Sequence, residues 1–543
     1  MTGSRRPHGV ELDVRVAGGM VRGVREGGLL AWRGIPYAAP PVRALRFAPP
    51  AGVVPWAGTR DASVYGAIAP QSFSNRLIRP PSMVVAADED CLTVNVHAPD
   101  HDSSASAPLP VMVFIHGGGY SAGSSRDFSG RGEGFVRSTR VVYVSFNYRL
   151  GALGYLDFTR YSTPERPLAS NLGLRDQVAA LRWVRDNIAE FGGDPERVTV
   201  FGESAGGNAV TTLMATPAAR GLFARAIAQS PPPNAVYPPS LTARWAGEYV
   251  DILREVVMAH DHAAAAAAAV AAAGVGADDR VGVGVAQSTP QQLLSDASPS
   301  ALIAASVALQ VRTPDEYPGS FCFAPVVDGE FVPERPLRAF RDGRAHRVPL
   351  IIGTNDREGS IFRGRVDILP RSPARIDALF DRAPAGSRQG MRDAYPGLPN
   401  RRAGADFGGD YGFWYPSTRV ADFHSRYAPA WSYRFDVAPR LLELMGLDAT
   451  HGVEMFALFD RTDEPLARVM TSLGGYETYA AAGKRMRALW LRFAELGVPA
   501  EHWPRYDERH RWTLVIDDDD RVEADPRRQR RRAWHRFIPA LAG

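Results

Sequence analysis

Ser204 stands in the run Gly202-Glu203-Ser204-Ala205-Gly206, directly after the apolar, β-prone stretch Val198-Thr199-Val200-Phe201. A strand that ends in G-x-S-x-G and passes straight into a helix predicts a sharp turn. That turn strains the serine backbone and lifts its hydroxyl to where a base can reach it. Small residues flank the serine because the doubling chain leaves no room for side chains. The helix expected from Ala205 through Ala209 to Met214 aims its free N–H groups and positive dipole end at the serine. The chemistry so indicated is acyl transfer through a serine nucleophile, which requires a base, an acid to orient that base, and donors for the oxyanion.

The donors are predicted at His116-Gly117-Gly118-Gly119-Tyr120, which closes the apolar run Val111 to Ile115. Glycines after a strand let backbone amides face a ligand without Cβ obstruction. The N–H groups of Gly118 and Gly119, with that of Ala205, can surround one oxygen. Removing one such donor typically costs about 3 kcal/mol of transition-state stabilisation. For the base, His451 opens an apolar helix out of a polar loop, Ala449-Thr450-His451-Gly452-Val453-Glu454-Met455-Phe456, and it falls late in the chain, as the order serine, acid, histidine demands. His424 and His346 compete with it. The acid should end a strand between serine and histidine. Val348 to Ile352 leads to Gly353-Thr354-Asn355-Asp356-Arg357-Glu358-Gly359-Ser360, where Asp356 and Glu358 both qualify.

These residues need a frame. Glu11 to Val16, Gly19 to Arg22 and Gly34-Ile35-Pro36-Tyr37 read as short antiparallel strands. Leu92 to His97, Val111 to Ile115, Val141 to Phe146, Val198 to Phe201 and Val348 to Ile352 read as strands of a main sheet. Asp176 to Phe191 has helical spacing and stops at Gly192-Gly193. Strands alternating with helices predict an α/β fold: a large, mostly parallel central sheet with helices on both faces, plus a small N-terminal antiparallel sheet.

Composition narrows the chemistry. The 543 residues are 45% hydrophobic and 22% charged, as in an ordinary soluble globule with a large core. No apolar stretch is long enough to span a bilayer, and Arg5 and Arg6 precede no apolar signal-peptide region. Lys484 is the only lysine. It is followed by Arg485, so it is not a P-loop lysine, and Ala481 stands where a Ser-x-x-Lys dyad needs serine. The net charge of +4 does not argue for nucleic acid. Arg527 to Arg532, after the acidic run Asp517 to Asp520, reads as a solvated helix face. Cys91 and Cys322 are expected to be free thiols. A segment at about 259–286, with polyalanine and then Gly274 to Gly284, reads as a fraying helix and a mobile loop, and His260-Asp261-His262 as a solvated surface rather than a metal site.

Taken together, these blocks resemble the type-B carboxylesterases, the family that also holds cholinesterases and bacterial para-nitrobenzyl esterases. The resemblance spans nearly the whole chain. It runs from Gly34-Ile35-Pro36-Tyr37, Arg46-Phe47 and Glu89-Asp90-Cys91-Leu92 through His116 to Tyr120, Asn147 to Gly151, Asn171 to Pro195 and Phe201 to Gly207. It continues in Pro325 to Gly329, Gly353 to Gly359 and His451 to Phe456. It implies one α/β-hydrolase domain over 1–543, with Ser204 as nucleophile, Glu358 as acid and His451 as base. It favours Glu358 over Asp356 because the family's glutamate directly precedes glycine. Gly118, Gly119 and Ala205 match its oxyanion donors, and Glu203, Ser230 and Glu454 its supporting residues. Glu89 looks like half of a buried ion pair whose partner would be Arg46 or Arg149.

The expected function is therefore serine carboxylesterase action on small-molecule esters through an acyl-enzyme. No metal, cofactor, nucleic-acid partner or integral membrane segment is expected. A neutral His451 should make activity fall as pH drops through about 6 to 7. Lipid, thioester or amide substrates are the alternatives within the same chemistry, and a catalytically silent binding module is the alternative outside it. Secreted relatives pair the cysteine of the Glu-Asp-Cys-Leu block with one upstream. Ala69 stands there, which agrees with a reducing, cytoplasmic setting. Gln71 to Ala87 contains Phe73 but no tryptophan, against a choline cage. Tyr120 replaces a common phenylalanine, which reads as a mild change. Phe413, Trp414 and Tyr415 suggest an aromatic pocket wall.

Overall fold

The structure is a computed structural model that describes residues 12–72, 86–100, 107–138, 141–271, 287–363 and 367–538. The expected strand start at Glu11, the glycine-rich stretch after the alanine helix, and Phe73 lie outside these residues. The alanine run itself closes the helix Pro239–Ala271.

The described strands, in chain order, are β1 (Asp13–Val16), β2 (Gly19–Arg22), β3 (Val24–Glu26), β4 (Leu29–Pro36), β5 (Thr59–Asp61), β6 (Thr93–Pro99) and β7 (Leu109–Ile115). Then follow β8 (Val142–Phe146), β9 (Gly193–Glu203), β10 (Arg225–Gln229), β11 (Leu350–Asn355), β12 (Ala430–Phe435), β13 (Trp512–Ile516) and β14 (Arg521–Ala524). Eleven form one sheet in the order β14-β13-β12-β11-β10-β9-β7-β8-β6-β4-β3. From β13 to β8 every pairing is parallel. Both flanks turn antiparallel. The small sheet joins β1 and β2 antiparallel, as expected, and adds β5 in parallel, while Gly34 to Pro36, expected beside them, closes β4 of the large sheet because it pairs with β6.

The parallel centre is built from continuous apolar runs because both of its faces are covered. Alternate residues go to opposite sides. Val111, Val113 and Ile115 of β7 join the core under the helices Leu172–Asn187 and Ala205–Met214. Met112 and Phe114 join the core under the helix Tyr476–Leu496. The helix Leu172–Asn187 passes into a short turn, Ile188–Phe191, and stops at Gly192, whose φ of 80° needs glycine.

The topology decides where a site can form. After β7 the chain goes to β8 on one side, and after β9 it goes to β10 on the other. The carboxyl ends of β7 and β9 therefore flank a switch point, where open α/β sheets leave a crevice. The glycine run follows β7, Ser204 follows β9, and Glu358 follows β11.

Candidate active site

Ser204 sits between the last residue of β9 and the first residue of its helix, with φ 58° and ψ −122°. A non-glycine residue held there is strained, and such strain is sustained only by close surroundings. Gln229 supplies one tie, its carbonyl accepting from the Ser204 amide at 2.9 Å. The neighbouring glycines supply the closeness. A Cβ on Gly206 would lie 2.0 Å from the Ile115 carbonyl oxygen, and one on Gly202 would lie 2.6 Å from the backbone of Gly206.

The glycine run turns back on itself beside the serine. Gly118, Gly119 and Tyr120 have φ of 107°, 61° and 56°. The Gly118 carbonyl accepts from the amides of Ser121 and Ala122. Gln71 clamps the far side, donating to the Gly123 carbonyl and accepting from its amide, both at 2.9 Å. Within the described residues the amides of Gly118 and Gly119 donate no hydrogen bond. They line the same cavity as Ser204, Ala205, Glu203 and His451.

His451 Nδ1 lies 2.6 Å from Glu358 Oε2. The other Glu358 oxygen accepts from Ser230 Oγ at 2.6 Å and from the Asn355 amide at 2.7 Å. Gly359 fits closely behind it, since a Cβ there would meet the Ala405 carbonyl at 1.9 Å. Asp356, the other candidate acid, turns away. It pairs with Arg527, whose guanidinium also donates to its carbonyl, and that pairing outweighs burial and keeps it below the usual carboxylate range. His424 and His346 are buried elsewhere, and burial holds both at about 4.

The imidazole is ringed by acid. Its Nε2 lies 3.2 Å from Glu203 Oε1, without hydrogen-bond alignment. Glu454 is fully buried and accepts from Asn355 at 2.6 Å and Gln229 at 3.3 Å. Burial opposes a charged His451, but Glu203, Glu358 and Glu454 outweigh it and push it up to about 9. Burial, aided by the like charges of Glu454 and Glu358, pushes Glu203 up to about 8 against the pull of His451. Burial and Glu358 push Glu454 up to about 7 despite its bond from Asn355. The shift of His451 is therefore upward from the window of 6 to 7 expected for an ordinary imidazole. Asn355 and Gln229 were not among the expected residues, although Asn355 lies within the run that carries Glu358 and Gln229 directly precedes Ser230. Nothing in an amide's type marks it as a carboxylate holder.

The cavity has a volume of about 750 Å³. Leu302, Val307 and Val311 from the helix Pro299–Glu316 form one wall, and Phe321, Phe362 and Phe413 another. Phe413 lies 4.4 Å from the His451 ring, centroid to centroid. Trp414 and Tyr415 do not join it. Tyr415 stacks on Trp534 and Trp414 packs against the same cluster, because helical rotation sends neighbouring residues to different sides.

Three further expectations are corrected or decided. Glu89 pairs with Arg46, through two bonds of 2.7 and 2.6 Å, while Arg149 grips Asp176 instead. The basic run is not a solvated face. Arg527, Arg530 and Arg531 follow the same helical stripe as Trp534 and enter ion pairs with Asp356, Asp410 and Asp525, while Arg528 and Arg532 are exposed, Arg528 reaching Asp525 from the solvent side. Cys91 and Cys322 are both buried and unpaired. Among the described residues, no helix is long and apolar enough to cross a membrane.

Comparisons with known proteins address the family and the fold. A model of the carboxylesterase family matches residues 10–383. The chain is 34% identical over 525 residues to the para-nitrobenzyl esterase of Bacillus subtilis (strain 168), covering 94% of this chain and 96% of that one. It is 31% identical over 503 residues to the fumonisin B1 esterase of Sphingopyxis macrogoltabida, covering 90% and 84%. The solved structure of a thermophilic PNB esterase superposes with a TM-score of 0.81 at 31% identity, over 96% of this chain and 100% of that one. It carries the α/β-hydrolase fold expected here. With a glycine-bounded strained serine, a histidine–glutamate pair and these matches in hand, the chain belongs to the carboxylesterase family.

Proposed function

We propose that this carboxylic ester hydrolase works through an acyl-enzyme on Ser204. The observation that carries the reading is the 2.6 Å contact between His451 Nδ1 and Glu358 Oε2, on the wall of the cavity that Ser204 enters. In the neutral imidazole, Nδ1–H donates to Glu358 and leaves Nε2 free to accept. Nε2 takes the proton of the Ser204 hydroxyl as its oxygen attacks the ester carbonyl. The amides of Gly118, Gly119 and Ala205 hold the oxyanion. Their worth lies in being fixed beforehand by the turn that Gln71 clamps. His451 then gives the proton to the departing alcohol. Water repeats the sequence on the acyl-serine and releases the acid.

The relatives suggest the substrate class. The Bacillus subtilis relative is named a para-nitrobenzyl esterase, and the largely apolar cavity suits uncharged esters of that kind. Ser204→Ala should abolish turnover of a short-chain nitrophenyl ester and labelling by a fluorophosphonate, while the circular dichroism spectrum stays unchanged. Turnover retained in that variant would remove Ser204 from the mechanism.

A further inference from the structure

Tyr120 follows the glycine pair directly. It is buried, at 3% exposure, and keeps a φ of 56° that a bulky side chain rarely adopts. Three contacts hold it there. Its carbonyl accepts from the Gly151 amide at 2.7 Å. Its ring stacks on Tyr155 at 4.0 Å between centroids. Its hydroxyl donates to Asn208 Oδ1 at 2.6 Å. Asn208 is fully buried on the helix that begins at Ala205, and its Nδ2 donates to the Pro232 carbonyl at 2.6 Å.

The arrangement ties two separate sources of amide donors together. Gly118 and Gly119 come from the loop after β7, whereas Ala205 comes from the elbow after β9. Both pieces hold residues at positive φ, and the glycine pair, without Cβ atoms, does little by its own sterics to fix its conformation, so neighbouring contacts must do so. Oxyanion stabilisation depends on donors held in place before the charge develops. We propose that the Tyr120–Asn208 hydrogen bond is a cross-brace that sets the Gly119 amide against the Ala205 amide, making Tyr120 and Asn208 positioning residues for the oxyanion donors. This rests on the acyl-enzyme reading above. It reverses the view of Tyr120 as a mild replacement. A phenylalanine there could not donate, and Asn208 would lose a buried partner.

The test compares wild type, Tyr120→Phe and the double variant Tyr120→Phe/Asn208→Ala. Wild-type turnover of a nitrophenyl ester and fluorophosphonate labelling first establish the acyl-enzyme reading on its own. Loss of both would sink that reading and leave the brace without its reaction. With both present, Tyr120→Phe should lower kcat about ten-fold, change KM less than two-fold, and weaken binding of a phenylboronic acid, a tetrahedral mimic, by the same ten-fold. The limbs of the pH profile should stay put, because the histidine and its carboxylates are untouched. The double variant should show the loss of Tyr120→Phe alone and not the sum of two separate losses, since either substitution already removes the one bond between the residues; a loss that adds would overturn the proposal. Unchanged kcat and boronate affinity in Tyr120→Phe would overturn the proposal. So would a loss that appears in KM alone or comes with a displaced pH limb. If Tyr120→Phe does not fold, Asn208→Ala, which breaks the same bond from the other side, must show the same split between kcat and KM.

Discussion

Glu203 lies closer to His451 Nε2 than any other carboxylate oxygen described around that atom, at 3.2 Å, and it makes no aligned hydrogen bond there. Its effect on the imidazole is therefore one of charge, and Glu203→Gln removes the charge while keeping the volume. At 3.2 Å two unit charges interact by about 1.3 kcal/mol in a water-like dielectric and by about 5 kcal/mol at an effective value of about 20. At about 1.4 kcal/mol per pKa unit, those limits bracket about one to four units. Glu203 itself holds its proton up to about 8, so it is largely ionised where the imidazole titrates near 9. Both groups line the cavity, where solvent screens the pair, so the expected shift is the lower part of the range, about one to two units. The sign follows from the mechanism. Removing a negative neighbour disfavours the imidazolium, so the neutral base survives to lower pH. In wild type, kcat/KM for a short-chain nitrophenyl ester should fall as pH drops through about 9. In Glu203→Gln that limb should lie between about 7 and 8, so that the variant keeps a larger share of its own maximum at pH 7 than wild type does. The measurement is kcat/KM from pH 5.5 to 10 with the uncatalysed hydrolysis subtracted. A limb that does not move, or that moves upward, would refute the charge argument.

Other outcomes follow from the same geometry. Glu358→Gln leaves a side chain of similar size but no anion to orient His451, so kcat should fall by about 10³ to 10⁴ with little change in KM. Steady-state kinetics on the purified variant check this. Arg46→Met strands Glu89 in a buried setting and should destabilise the fold by about 3–5 kcal/mol, read from urea unfolding, whereas Arg46→Met/Glu89→Leu should recover much of that loss. Gly206→Ala places a methyl 2.0 Å from the Ile115 carbonyl oxygen, so it should yield insoluble protein or a folded one without fluorophosphonate labelling.

Much of this molecule could be read along the chain, for identifiable reasons. The runs that became β7, β8, β9 and β11 are continuous and apolar because helices cover both of their faces. Strand β10, Arg225-Ala226-Ile227-Ala228-Gln229, escaped notice. It holds a single β-branched residue, and pairing with β9 and β11 on both sides makes it a strand. Ser204 and its glycines were legible because a strained backbone imposes residue types locally. Spacing left Asp356 and Glu358 level, because it cannot say which of two nearby carboxylates a tight turn points inward, and only the resemblance, through the glycine after Glu358, favoured the residue that meets His451. For Trp414 and Tyr415, core packing stood beside a pocket role and is what the structure shows, and the late arginines depart from the solvated face expected of them: composition reports what a stretch contains, while the docking of its helix decides which residues meet solvent.

Arg527 grips both the carbonyl and the carboxylate of Asp356, two residues before Glu358. During synthesis the elbow at Ser204 leaves the ribosome long before that arginine does. A chain made only as far as β10 holds the elbow but neither Glu358 nor His451, so on the proposed mechanism hydrolysis waits for the later segments, and Arg527 is the last of the residues that tie down the acid's loop, after Asp406 and Asp448.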